Sequence, residues 1–305
     1  MNNLPRPLGS SLLVAVAAGA VGTAMAAPPS RDSSLQWSYS LTPIYQWDAK
    51  LDQGGEFSSE RLLLHLQAEK RFGPRIGAGL GLQYGYEDYD FDGVTGFGGA
   101  RWNTLNRFSL SLPFSYRTES PWQLLFSPSL EISAESGAEI DDSLGYGAVA
   151  AAVRRIGADL SLGFGLGAFR RIEKSSYFPF IAVRWQITDR LRLANPFRAG
   201  PSGPAGLELA LDMGNGWELA AGGAYRSYRF RLDKDGAVPG GIGETEQVPV
   251  FLRASKRLRA ALRLDLYIGA ALAGKLTLED GDRRELAKDD FDTTPFVGVA
   301  LAGEF

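Results

Sequence analysis

Few residues of this 305-residue sequence could do chemistry, and the best placed is its one histidine, His65. Imidazole changes charge near neutral pH and would serve as the base of a barrel lipid hydrolase, with Ser109, Ser111 or Ser133 as nucleophile. No local spacing brings any of the three to it. The competing reading makes His65 one polar residue of a lumen. A multi-histidine metal site is excluded by the count, and the absence of cysteine excludes disulfides and thiol chemistry. Asp88, Asp90, Asp92 and Gly93 match the opening of a calcium loop, D-x-D-x-D-G. The twelfth position is Gly99 where a bidentate glutamate belongs, so an acidic hairpin tip in water is the simpler account. Gly163-x-Gly165-x-x-Ala168 resembles a dinucleotide fingerprint, but its period is two and no helix follows it. No cofactor, no metal and no catalytic residue is expected. A formal net charge of -3 gives no reason to expect nucleic acid as a partner.

These residues sit within short segments that alternate apolar and non-apolar positions. Ile76, Ala78, Leu80, Leu82, Tyr84 and Tyr86 interleave with Gly77, Gly79, Gly81, Gln83, Gly85 and Glu87. Leu160, Leu162, Phe164 and Leu166 interleave with Ser161, Gly163, Gly165 and Gly167. A half-buried strand of a soluble sandwich puts bulk inside and charge outside. Here the face opposite the bulk is glycine and serine, which suits a crowded or wetted interior behind a lipid-facing exterior. Ser143 to Arg155 is alanine-rich, and its phase is ambiguous.

Arg6, the apolar run Ser11 to Ala20 and Ala24-Met25-Ala26 form an export signal, so residues 1–26 read as a cleaved signal peptide. Residues 27–34 follow as a short periplasmic tail, and 35–305 as the barrel. Beyond the signal no run of about 18 apolar residues exists, so no membrane helix is expected. Tight connections are expected near 73, 119, 157, 189, 215 and 257. Longer ones are expected near 54, 96, 139, 175, 200, 238 and 285. Six turns and seven loops imply an all-β, transmembrane, antiparallel up-and-down β-barrel of about 14 strands. The alternative is 12, if Arg190 to Asn195 is not a strand. Short turns on one side and longer loops on the other are the asymmetry of outer-membrane barrels.

The polar phase of these strands collects charges as lumen-lining candidates: Arg61, His65, Glu69, Arg75, Arg107, Glu131, Arg184, Glu208, Glu218, Arg226, Arg253, Arg263 and Asp265. They would either set the field of a pore or pair across the lumen and fill it. Phe178, Phe180 and Phe296 fall on the same inward phase, as a greasy patch or partial plug.

The last strand, P-F-V-G-V-A-L-A-G-E-F, resembles the signal by which the outer-membrane barrel assembly machinery recognises its clients. Val297, Val299, Leu301 and Phe305 match, and Gly303 departs where a larger apolar residue is usual. The segments W-Q-I-T-D-R-L-R-L-A-N-P and Y-R-S-Y-R-F-R-L resemble an uncharacterised proteobacterial outer-membrane β-barrel family, a domain of unknown function. The resemblance implies the outer membrane of a Gram-negative bacterium, without an activity. The partners implied are outer-membrane lipid and lipopolysaccharide, the assembly machinery during insertion, and a small solute. The first expectation is a non-enzymatic pore or transporter for a small polar or amphipathic solute. The second is a filled-lumen structural or adhesive barrel acting through its outer loops; the third is the barrel lipid hydrolase.

Overall fold

The computed structural model describes residues 35–195 and 206–305. The expected signal peptide, residues 27–34 and the Pro/Gly-rich stretch Pro196 to Pro204 lie outside the described residues. The rest forms one sheet that closes on itself. Its strands are β1 (Gln36–Lys50), β2 (Glu56–Phe72), β3 (Ile76–Asp92), β4 (Thr104–Ser111 and Phe114–Arg117) and β5 (Trp122–Glu135). Then come β6 (Leu144–Ile156), β7 (Leu160–Arg171), β8 (Lys174–Gln186), β9 (Leu191–Ala194) and β10 (Leu207–Gly214). The last are β11 (Trp217–Gly223 and Arg226–Arg231), β12 (Ile242–Arg259), β13 (Leu262–Glu279) and β14 (Glu285–Phe291 and Thr294–Glu304). Each pairs antiparallel with its chain neighbours. β14 returns to β1 in register, Leu41 opposite Leu301 and Tyr45 opposite Val297. This is a closed antiparallel barrel of fourteen strands, and the four-residue β9 is a true member, bonded to β8 and β10.

Alternation sorts the side chains as a bilayer requires. Leu62 and Leu64, Phe108, Phe126, Leu162 and Phe164, Leu209, Leu252, Ile268 and Val299 all point outward and stay exposed. Every strand except β9 carries at least one such side chain. Each Leu or Phe left in water would forgo about 1.5–3 kcal/mol of burial, so a belt this continuous belongs in hydrocarbon. The closed sheet leaves no backbone edge to the lipid. Aromatic side chains mark both rims of the belt. Tyr45 packs edge-on to Trp47 with centroids 5.2 Å apart near the loop end, and Phe305 stacks on Trp37 at 6.4 Å at the turn end. The ambiguous β6 resolves with Val149, Ala151 and Val153 inward.

The glycine face is neither empty nor wet. A Cβ on Gly165 would lie 2.2 Å from the Phe180 ring, one on Gly167 2.2 Å from Phe178, and one on Gly147 2.3 Å from Phe169. Aromatic rings of the next strand fill the space over these glycines, which only a residue without a side chain allows. The same contact explains Gly303, where a Cβ would meet the Tyr39 ring at 2.5 Å.

Three expected connections differ. The long loop expected near 175 is a two-residue turn, Ile172-Glu173, with φ of 41° and 65°. Two consecutive left-handed residues match the strand twist at a hairpin, but neither is the usual Asn or Gly, so nothing in the sequence announced it. The β12–β13 hairpin turns at Ala260-Ala261 instead of near Arg257. Part of the charged loop expected over Glu279 to Asp292 is strand, Glu285–Phe291.

Candidate functional site

Four neighbouring strands break at one level. β11 is interrupted at Ala224-Tyr225 and β14 at Asp292-Thr293. β12 shifts register between Glu246 and Val248, and in β13 Ala273 has a φ of +50°. Bulges and left-handed residues bend strands, and four in a row bend the sheet. Beyond this line the loop-end halves of β11 to β14 leave the wall and fold across the lumen as a flap. One edge of the flap stays attached to β1 through the Leu51–Phe291 bridge. The other edge reaches the opposite wall, where Arg231 pairs in parallel with Ala134 of β5 and Asp233 N–H donates to Glu135 Oε2 at 2.9 Å. Both faces of Arg226–Arg231 are consequently buried, apart from the half-buried Tyr228.

Under the flap lies an apolar core with Phe57, Tyr89, Trp102, Phe230, Leu276 and Phe291 at its centre. Trp102 and Phe230 have no exposed surface, and their rings meet at 5.2 Å in a T-shaped contact. The flap also carries charge. Within it Arg229 bridges Glu244 at 3.2 Å and bonds Glu279 through Nη1 at 3.0 Å, and from the wall Lys174 at the β7–β8 turn reaches Glu244 at 3.0 Å. Arg231 donates to the Asp142 carbonyl at 3.1 Å.

A part-open cavity remains between the flap and the β1–β5 wall. Arg61 from β2, Arg107 from β4 and Arg226 from the flap line it, with Glu87 as the one acidic residue. Arg61 is ion-paired to Glu87 and donates to Gln46 Oε1 at 3.1 Å. Arg107 lies over the Tyr228 ring at 3.6 Å, and Arg226 Nη1 donates to the Tyr228 hydroxyl at 3.4 Å.

A second charged cluster sits toward the turn end. Arg253 bonds Glu208 at 2.6 Å and Glu218 at 2.8 Å, and lies 3.6 Å from Asp265. Arg263 pairs with Asp265 at 2.8 Å, and Arg192 with Glu218 at 3.1 Å. A third inward feature is aromatic, with Phe169 stacked on Phe178 at 5.8 Å and Phe180 beside it.

The remaining candidates fall elsewhere. His65 bonds Gln67 at 3.2 Å, and Gln67 donates to Glu69 at 2.6 Å, a polar row along β2. Ser109 bonds Glu131, Ser111 bonds the Gly81 carbonyl and Ser133 lines the cavity, and among the described residues no hydrogen bond joins a serine to His65. Glu131 pairs with Arg171 at 3.8 Å. Arg184 is half-buried near the turn end, and Arg75 sits at the β2–β3 turn, bonded to Glu119 at 2.9 Å. Val297, Val299 and Leu301 lie on the lipid face. Asp88, Asp90 and Asp92 occupy alternate positions of β3 and form a row instead of a cage. Among the described residues no cluster of three metal-ligating side chains occurs. Sequence reasoning missed Glu87, Arg171, Tyr228, Arg229, Glu244 and Glu279. The available sign was R-S-Y-R-F-R, which places arginine on both phases of one strand, contrary to a wall with a lipid face.

A closed, even-stranded barrel with an apolar belt, aromatic rims, short turns at one end and longer loops at the other has one home. The protein is an outer-membrane β-barrel. No protein-family model matches it, and no curated protein does. Solved structures that align with it include an outer membrane channel from Pseudomonas putida F1, at 12% identity over 92% of this chain and 97% of that one, with a TM-score of 0.49. The toluene transporter TodX of Pseudomonas putida aligns at 13% identity over 93% and 92%, with a TM-score of 0.44. A FadL homologue from Pseudomonas aeruginosa aligns at 12% identity over 88% of each chain, with a TM-score of 0.42. At these values the fold of this outer-membrane barrel rests on its own strand pairing, and its solute on its own lumen.

Proposed function

We propose that the protein is a gated channel for a small polar or amphipathic solute, in its closed state. The observation that carries this reading is the common break line of β11 to β14. A plug needed only for rigidity gains nothing from a hinge across four strands. A gate needs one, because a packed sheet moves between discrete arrangements. Its ion pairs to the wall suit opening: Lys174–Glu244 and Arg231–Glu173 are partly exposed, and such pairs stabilise little. The solute would pass charged walls and the Phe169–Phe178–Phe180 patch, a lining for a molecule with a polar head and an apolar body.

The filled-lumen reading draws on the fully buried Trp102 and Phe230, which pack like a permanent core. Tethering the flap to the wall through Ala134 and Arg231 separates the two. The channel reading expects the tether to abolish ion passage and its release to restore it. A folded, released barrel that never conducts selects the filled lumen.

A further inference from the structure

The cavity beneath the flap brings three guanidinium groups, from three separate elements, around one carboxylate. Glu87 is engaged by Arg61. Arg107 has no ion pair among the described residues, its face is spent on Tyr228, and its Nε is buried without an acceptor. A guanidinium presents paired N–H donors that match a carboxylate oxygen for oxygen. A guanidinium that lines the cavity without an ion pair favours an anion there. The cavity's other walls mix apolar Ile44, Leu63, Leu105, Pro249 and Phe296 with polar Gln46, Asn106, Ser133 and Gln247. The apolar part covers the body of a small organic molecule, which a hydrated inorganic ion lacks.

We propose that this cavity binds a small organic carboxylate, its head held by Arg107 with Arg61 and Arg226, its body against Ile44, Leu63 and Phe296. The proposal rests on the channel reading only for the identity of the transported solute; the binding itself does not. Because Arg226 and Tyr228 ride on the flap while Arg61 and Arg107 stand on the wall, the anion would bridge the two. The site then reads the solute at the point where the gate closes.

Calorimetry on the full-length barrel in detergent tests it, with benzoate as the probe, and benzamide and inorganic phosphate as controls. Saturable benzoate binding at least tenfold tighter than either control is expected. Arg107→Gln should weaken benzoate at least tenfold while leaving benzamide unchanged, and Arg107→Lys should recover part of the loss. Heat-modifiable gel mobility confirms that each variant is folded. Equal binding of benzoate and benzamide, no binding to the folded wild type, or unchanged benzoate affinity in a folded Arg107→Gln would each overturn the proposal. Benzoate binding in a barrel that never conducts leaves the carboxylate site standing and removes the channel. Conductance without benzoate binding does the reverse.

Discussion

Phe230→Ala should open the barrel without unfolding it. Phe230 lies in the flap, wholly buried, with its ring against Trp102 of the β3–β4 connection and over Gly243 of its partner strand β12. Truncating a buried Phe to Ala costs about 3–5 kcal/mol. Part of that cost is common to both states, because β11 and β12 move together and the Gly243 contact travels with the flap. The contact with Trp102 exists only when the flap is down. Assigning about half of the cost to closure leaves roughly 2 kcal/mol, or about a thirtyfold shift toward the open state. Single-channel recording in planar bilayers reads that shift as open probability, and heat-modifiable mobility shows whether the barrel is intact. An open probability within twofold of wild type, in a folded variant, would refute the placement of Phe230 on a moving element.

Two further outcomes test the packing. Arg253→Met leaves Glu208 without its ion-pair partner and takes one of two from Glu218 and Asp265, which keep Arg192 and Arg263. Breaking a buried charge network this way costs about 3–5 kcal/mol, to be seen as a lowered urea midpoint in detergent; an unchanged midpoint would mean the cluster is open to water. Gly167→Val drives a side chain into the Phe178 ring and should lower the midpoint, whereas Gly167→Val with Phe178→Ala should recover most of the loss. Additive losses in the double variant would show that the ring does not lie where we place it.

The barrel was legible because a period of two survives every local accident. Leu62 and Leu64, Ile76 to Tyr86 and Val297 to Leu301 each declare a lipid face by alternation alone, and the alternation of connection lengths yields fourteen strands. The glycines of β7 were legible as an unusual face but not as seats for rings, since Phe178 and Phe180 belong to another strand whose register the sequence does not state. The Ile172-Glu173 turn was invisible because its backbone is imposed by the hairpin and not by the residues. The flap was illegible for a deeper reason. Its hinge is written in four dissimilar places, an Ala-Tyr pair, a register slip before Pro249, a left-handed Ala273 and an Asp-Thr pair, and only the assembled sheet sets them in line. The lumen charges could be assigned to the inward phase one strand at a time. Which of them meet depends on β11 reaching β5, six strands away around the wall.

The central claim is that the flap moves. The natural chain has no cysteine, so Ala134→Cys with Arg231→Cys adds a lone pair across the bridge between flap and wall. Facing strand positions lie within the Cα separation a disulfide accepts, roughly 4.4–6.8 Å. Single-channel recording of this variant, oxidised and then reduced in the same bilayer, reads the motion directly. The account predicts silence while the bond is closed and discrete conductance steps once it is reduced. Steps of equal size and frequency in both states would contradict it, as would a reduced, folded barrel that stays silent.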